Sequence, residues 1–225
     1  MDIDQALNVE ELRGRCLEHS QQAYRLLPRF EHPRILDIGC GQGQQTMELA
    51  RLAGSEVIGI DIDQAALSKL KQRIDKACLG NQIKTIHVSL FDNKFDDNSF
   101  DLLWEEGVFH LLDASKCLPE CWRLLKPDGY LVMHETTLWF ESIREKLPEF
   151  SFEFVNQHRL PKCFWWTDYG APLEERIRTY QDTHGDATDS PKLAEYKRIV
   201  ADIKEDPDRT DSGIYLIRKL PLLGL

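Results

Sequence analysis

The sequence predicts an α/β fold, a doubly wound and mostly parallel sheet with helices on both faces. Three observations carry this. Apolar runs at 34–38, about 56–60, 83–88, 100–104 and 130–134 alternate with helical patterns, which yields a parallel sheet with right-handed crossovers. The first run ends in Asp37 and turns through Gly39, Gly41 and Gly43 into a helix over Gln44 to Ala53. The second run delivers Asp61 at its carboxyl end, where open α/β sheets form their ligand crevice.

Taken in order, residues 4–27 carry Leu7, Leu12, Cys16, Ala23, Leu26 and Leu27 at near-helical spacing, predicting one or two helices and an N-terminal helical cap over 1–30. Pro28 and Pro33 bracket the entry into the first strand. A helix from 64 to about 77 turns Ala65, Leu67, Leu70 and Ile74 to the sheet. Alternation in the third strand, 83–88, is imperfect. The fourth strand ends at Trp104, and a helix over 114–125 crosses to the fifth. After Thr136 the pattern changes. The runs 152–155 and 158–160 predict another strand or a hairpin arm, and 213–219 reads as the last strand. Between them, residues 161–212 predict a helical lid insertion, rich in aromatics at its start (Phe164, Trp165, Trp166, Tyr169). Pro172 opens one helix, and Ser190-Pro191 opens a second with serine as N-cap and proline in the first turn. That second helix has Leu193, Tyr196, Val200 and Ile203 on one face. The whole of 1–225 reads as one domain.

A chain of 225 residues can bury a full core. Hydrophobic residues make up 42%, yet no run approaches a membrane span, so no membrane partner is expected. The first ten residues are acidic and polar, unlike a secretory signal. A net charge of −10 without a cluster of Lys and Arg argues against nucleic acid as a partner. The six cysteines (Cys16, Cys40, Cys78, Cys117, Cys121, Cys163) lack zinc or disulfide spacing, so no metal is expected and a reducing, cytoplasmic setting is. Cys117 and Cys121, one helical turn apart, read either as a redox or soft-metal pair or as two small apolar residues on a packed face. The second reading is favoured.

The glycine loop decides which nucleotide fits. A dinucleotide fingerprint needs G-x-G-x-x-G, whereas here the spacing is G-x-G-x-G with Gln44 in the third glycine's place. Asp37, two residues before the first glycine, would repel a pyrophosphate in a poorly screened site. It would attract a phosphate-free ligand bearing an ammonium and a sulfonium. S-adenosylmethionine carries both, and its carboxylate suits the backbone N–H groups at the helix start.

Four segments in this order carry a resemblance: Leu36-Asp37-Ile38-Gly39-Cys40-Gly41-Gln42-Gly43, Gly59-Ile60-Asp61-Ile62-Asp63, Phe95-Asp96-Asp97-Asn98-Ser99-Phe100-Asp101-Leu102-Leu103-Trp104, and Leu124-Leu125-Lys126-Pro127-Asp128-Gly129-Tyr130. Covering roughly 30–135, they resemble the class I S-adenosylmethionine-dependent methyltransferases of small-molecule type. The resemblance implies a Rossmann-like, seven-stranded sheet with the last strand antiparallel, and S-adenosylmethionine as cofactor. It places Asp37, Gly39, Cys40, Gly41 and Gly43 around the methionine half, Asp61 on both ribose hydroxyls and Ile62 on the adenine face. Ser89 and Leu90 stand where the family usually has Asp-Ala reading the adenine amino group, which is a departure. Glu105 would contact the methionine part through its backbone carbonyl, and the side chain of Glu106 would look towards the methyl acceptor.

Methyl transfer is an in-line displacement in which orientation supplies much of the rate, and a base is needed only for an acceptor that is not already nucleophilic. Glu106, His110 and His134 are the catalytic candidates, with Glu135 beside them. For the adjacent acids, the alternative is that one is solvated while the other caps a helix beginning near Gly107. Trp165, Trp166 and Tyr169 read either as a wall for the acceptor or as a seam joining the lid to the sheet edge. The functional reading is methyl transfer to a small molecule through an N, O, S or C nucleophile. Its alternatives are an inactive module that binds the cofactor for a protein partner and, disfavoured by Asp37 and Gln44, an NAD-dependent oxidoreductase.

Overall fold

The computed structural model describes residues 3–185 and 190–221. Its centre is a seven-stranded sheet of β1 (Ile35–Ile38), β2 (Val57–Asp61), β3 (Ile83–His87), β4 (Phe100–Glu106), β5 (Leu125–Thr136), β6 (Phe152–Arg159) and β7 (Ser212–Lys219). The strand order is β3-β2-β1-β4-β5-β7-β6. Strands β3, β2, β1, β4 and β5 pair in parallel, while β7 runs antiparallel to both neighbours. The order reverses at β1, whose Leu36 lies opposite Ile58 on one side and Leu103 on the other. A crevice opens at such a switch point, beyond the carboxyl ends of the strands.

Nine helices flank the sheet among the described residues: α1 (Ile3–Ala6), α2 (Val9–Gly14), α3 (Leu17–Arg25), α4 (Gln44–Ala53), α5 (Gln64–Lys76), α6 (Ala114–Leu124), α7 (Thr137–Arg144), α8 (Ala171–His184) and α9 (Pro191–Glu205). Three apolar clusters hold them. On one face Leu36, Ile38, Leu103 and Met133 meet Cys117 and Cys121 of α6 and Phe140 of α7. On the other, Ile35, Val57 and Trp104 meet Ala50 of α4 and Leu67 and Leu70 of α5. Alternation along β1 sends neighbouring residues to opposite faces, so each strand serves both layers. The third cluster stands apart from the sheet. It joins Leu7, Val9 and Leu12 to Tyr169, Leu173, Leu193, Tyr196 and Val200, so the N-terminal helices and the insertion before β7 share one small core.

Several sequence expectations need correction. Strand β4 runs through Glu105 and Glu106 because both pair with β5, opposite Met133 and His134. Of the two readings for 152–160, the structure takes the further strand, β6, continuous but for a bulge between Phe154 and Asn156. The helix α7, capped by the Thr136 hydroxyl accepting from Trp139 N–H, has no counterpart in the sequence reading. Ala65 is exposed, since only Leu67, Leu70 and Ile74 of α5 turn inward, and Leu26 is also exposed. Cys117 and Cys121 are fully buried, and burial pushes the Cys117 thiol up to about 12, so the pair packs as small apolar side chains. All six cysteines are free thiols. No described helix is long and apolar enough to cross a membrane.

Candidate functional site

A cavity of about 1240 Å³ lies at the carboxyl ends of the parallel strands, between the sheet and the third cluster. The turn after β1 forms its floor. Gly39 and Gly43 have φ of +70° and +78°, and a Cβ at Gly43 would sit 1.9 Å from Leu70 Cδ1, so only glycine fits. Gly39, Cys40, Gly41, Gln42 and Gly43 all line the cavity. Helix α2 is latched over this loop. Gln44 Nε2 donates to the Glu10 carbonyl at 3.1 Å, and Arg73 Nη1 donates to Glu10 Oε2 at 2.8 Å and to the Gln42 carbonyl at 3.2 Å.

Asp37 lies under the loop and borders the cavity, buried in the middle of the sheet. Its Oδ2 accepts from Thr46 Oγ1 at 2.5 Å. Burial pushes its carboxyl up to about 7, the Thr46 hydrogen bond opposes the rise, and Glu106 and Asp61 add to it. The folded protein holds this proton more tightly than the unfolded chain, so the contribution to stability is full below the usual value of 3.8 and is lost as pH rises through about 7. Across that window the loss is on the order of 4 kcal/mol. Asp37→Asn is expected to flatten this part of the stability profile, as read by denaturant unfolding between pH 4 and 8 without ligand. An identical slope in the variant would remove Asp37 as its source.

Asp61 closes the other side of the loop. Its Oδ2 accepts from Gly41 N–H at 2.7 Å and its Oδ1 from Asp63 N–H at 2.8 Å. Asp61, Ile62, Ser89 and Leu90 lie outside the cavity wall, on the β2 and β3 side of the glycine loop. Ile62 is 74% exposed, a large apolar side chain with an open face. Ser89 Oγ accepts from Phe91 N–H at 3.2 Å, and the Leu90 side chain is buried in the core, so only its backbone can face a ligand. The sequence-predicted residues therefore fall into two groups. The glycine loop, Asp37, Glu106, His110 and His134 surround the cavity, and the β2 and β3 residues lie beside it.

The two adjacent acids divide between the two sequence expectations, one capping a turn and the other facing the cavity. Glu105 turns inward, where Oε2 accepts from Val108 N–H at 3.0 Å and Phe109 N–H at 3.3 Å, capping the 3₁₀ turn Phe109–Leu111. Burial, with Glu135 nearby, holds its carboxyl well above the usual range. Its side chain does not reach the cavity. Glu106 faces the cavity instead, with Oε1 accepting from Ser20 Oγ and Trp104 Nε1, both at 2.8 Å.

The histidines also differ. His110 Nδ1 lies 2.9 Å from Glu135 Oε2, and the His110 backbone N–H donates to Glu135 Oε1 at 3.0 Å. The Glu135 side chain is 1% exposed and that of His110 is 40% exposed. A buried carboxylate thus fixes the ring through one nitrogen and leaves the other to the cavity. His134 is held differently. Its Nε2 is 3.2 Å from Ser212 Oγ, its Nδ1 is 3.7 Å from Glu106 Oε2, and Trp165 stacks on the ring.

Trp165 and Tyr169 line the cavity, and Trp165 packs against both the sheet-side cluster and the third cluster, as a seam between insertion and sheet. Trp165 Nε1 donates to Ser212 Oγ at 2.8 Å, and the segment Trp165–Gly170 is a π turn. Trp166 packs in the third cluster under Lys204. The sequence reading missed Arg13 and Leu17 of the N-terminal helices and Leu138 and Trp139 of α7 as cavity residues. The Thr136 cap was a signal for α7. Nothing in the sequence signalled that the N-terminal helices reach the glycine loop.

Known proteins share several of these features. A family profile described as a methyltransferase domain matches residues 36–133. Over 136 residues the chain is 26% identical to a 27-O-demethylrifamycin SV methyltransferase from Amycolatopsis mediterranei, covering 60% of this chain and 49% of that one. A sterol 24-C-methyltransferase from Saccharomyces cerevisiae is 28% identical over 134 residues, covering 58% and 35%. The chain spans about half the length, or less, of the curated relatives it matches. Among solved structures, one described as a putative sarcosine dimethylglycine methyltransferase from Galdieria sulphuraria superposes with a TM-score of 0.69 at 18% identity, covering 95% of this chain and 85% of that one. The acidic strand end, the G-x-G-x-G turn and the six-parallel, one-antiparallel sheet agree with these likenesses. Residues 36–133 match a methyltransferase domain, and together these likenesses support a class I S-adenosylmethionine-dependent methyltransferase with S-adenosylmethionine as cofactor.

Proposed function

We propose that this chain transfers a methyl group to a small-molecule acceptor held between the sheet and the helical cap. One observation carries the reading. The glycine loop forms one wall of the cavity, and Trp139, Trp165 and Tyr169 form another. At about 1240 Å³ it exceeds the roughly 300–1,000 Å³ of a pocket for one small ligand, which leaves room for an acceptor beside the methionine half of the cofactor. The aromatic wall suits burial of an apolar body.

The bound cofactor supplies an electrophilic methyl on a sulfonium. In this reading Asp61 accepts from the ribose hydroxyls, Ile62 covers the adenine face, and the backbone at Ser89 and Leu90 borders the ring. Asp37 and the turn Gly39-Cys40-Gly41-Gln42-Gly43 hold the amino-acid end. Glu105 serves indirectly, by fixing the turn that carries His110. His110, oriented by Glu135, would take the acceptor's proton at Nε2 when the acceptor is a hydroxyl or protonated amine. Glu106 and His134 position the wall around them. The free thiols fit a reducing compartment, and we place the protein in the cytoplasm.

The test is release of S-adenosylhomocysteine with a panel of phenols, amines and thiols, with calorimetry of cofactor binding alongside. Turnover of any member supports the reading. Tight cofactor binding without turnover of the whole panel would favour a binding module instead.

A further inference from the structure

The carboxylate of Glu106 faces the cavity with one oxygen committed and the other open. Its Oε1 accepts from Ser20 Oγ of α3 and from Trp104 Nε1 of β4, both at 2.8 Å. Both donors are uncharged, so they orient the group without neutralising it. Among the described residues, no donor lies within hydrogen-bond distance of Oε2. His134 Nδ1 stands 3.7 Å from it, too far for a hydrogen bond. The Glu106 side chain is 22% exposed. A partly buried anion, held in place and left without a close counter-charge, calls for a cation.

The surroundings say what kind of cation. Trp165 stacks on the His134 ring with centroids 5.9 Å apart, which brings aromatic surface close to the carboxylate, and Trp139 lines the same cavity. A carboxylate beside aromatic faces suits an organic cation that has shed its water. The insertion adds charge of the same sign. Asp202 and Glu205 in the last turn of α9, with its C-cap Asp206, line the cavity. Acids at the negative end of a helix oppose its dipole, and a cation in front of them relieves that opposition. The arginines of the cavity do not cancel these charges. Arg13 lies 3.5 Å from Glu10, and Arg209 stands on the insertion side among the three acids. An anionic acceptor would be repelled by Glu106 and by the end of α9.

We propose that Glu106 binds a positively charged nitrogen on the acceptor, so that the acceptor is an amine with an aromatic or apolar body. The inference rests on the reading that this cavity holds the acceptor, and it names the acceptor's chemical class. The charged nitrogen is an anchor. It fixes how the molecule lies against the aromatic wall, and orientation of this kind supplies much of the rate of an in-line displacement.

The test uses probes that share a ring and differ in charge: tyramine, 4-ethylphenol and 4-hydroxyphenylacetate, and likewise tryptamine, 3-ethylindole and indole-3-acetate. Each is titrated by calorimetry into protein saturated with S-adenosylhomocysteine. At least one amine is expected to bind wild type about tenfold or more tighter than the neutral and anionic members of its set. Glu106→Gln, which keeps the shape and loses the charge, is expected to erase that preference, and Glu106→Asp to keep most of it. Both variants should hold S-adenosylhomocysteine and S-adenosylmethionine within about twofold of wild type, which also shows that the fold is intact. Amines that fail to bind, or that bind no better than their neutral partners, overturn the inference, as does a preference that survives Glu106→Gln. A variant that weakens S-adenosylmethionine and spares S-adenosylhomocysteine also overturns it, by assigning the charge to the sulfonium. Turnover of neutral phenols without any preference for amines sinks this inference and leaves methyl transfer standing. Amine binding through Glu106 with no turnover of any acceptor supports it and sinks methyl transfer instead.

Discussion

His110→Gln is expected to lower kcat for a hydroxyl acceptor by about 10²-fold or more, the range in which a positioned base contributes. S-adenosylhomocysteine affinity should stay within about twofold, because the proposed role places the ring against the acceptor and away from the glycine loop. Glu135→Gln should cause most of the same loss. Its carboxylate holds the ring through Nδ1 at 2.9 Å and also accepts the His110 backbone N–H at 3.0 Å. The two groups act as one unit, so the double variant should be little worse than either single one. Steady-state kinetics on an acceptor found in the panel checks this. If kcat survives both substitutions, the acceptor atom needs no base, and an amine or thiolate becomes the better reading.

The second large effect concerns Asp61. Asp61→Ala is expected to weaken S-adenosylmethionine by about 100-fold or more, since each hydrogen bond to a charged group contributes about 1.5–3 kcal/mol. Part of the loss will come through the protein, because Asp61 also holds the Gly41 and Asp63 N–H groups. Asp61→Asn separates the two contributions, as it keeps one acceptor oxygen of the same shape. Calorimetry paired with a thermal melt reads both, the melt showing whether the loop alone has loosened. An affinity unchanged in Asp61→Ala removes the ribose assignment.

The glycine loop, Asp37 and Asp61 were legible because they are local features. The spacing of the glycines and the acid at each strand end follow directly from the backbone conformations required there. Their destinations were less legible. Asp37 reads in the sequence as a charge facing a ligand, yet the sheet surrounds it so fully that its carboxyl rises to about 7. Glu105 and Glu106 are indistinguishable as neighbours in the chain. Strand alternation sends one inward to cap a turn and the other to the cavity, and only the extension of β4 by pairing with β5 makes that so.

By itself the sequence determined the core strands and most of the helices, the apolar faces that pack on the sheet, and that the first βα turn suits a phosphate-free adenosyl cofactor. Periodicity and turn chemistry are properties of neighbouring residues, so they can be read in one dimension. The tertiary structure alone decided that His110 meets Glu135, that His134 is held by Ser212 and Trp165, and that helix α2 closes over the glycine loop. These contacts join residues far apart in the chain. They exist because the strand order sets β4 beside β5 and β5 beside β7, and because the N-terminal helices and the insertion can bury their apolar faces only against each other.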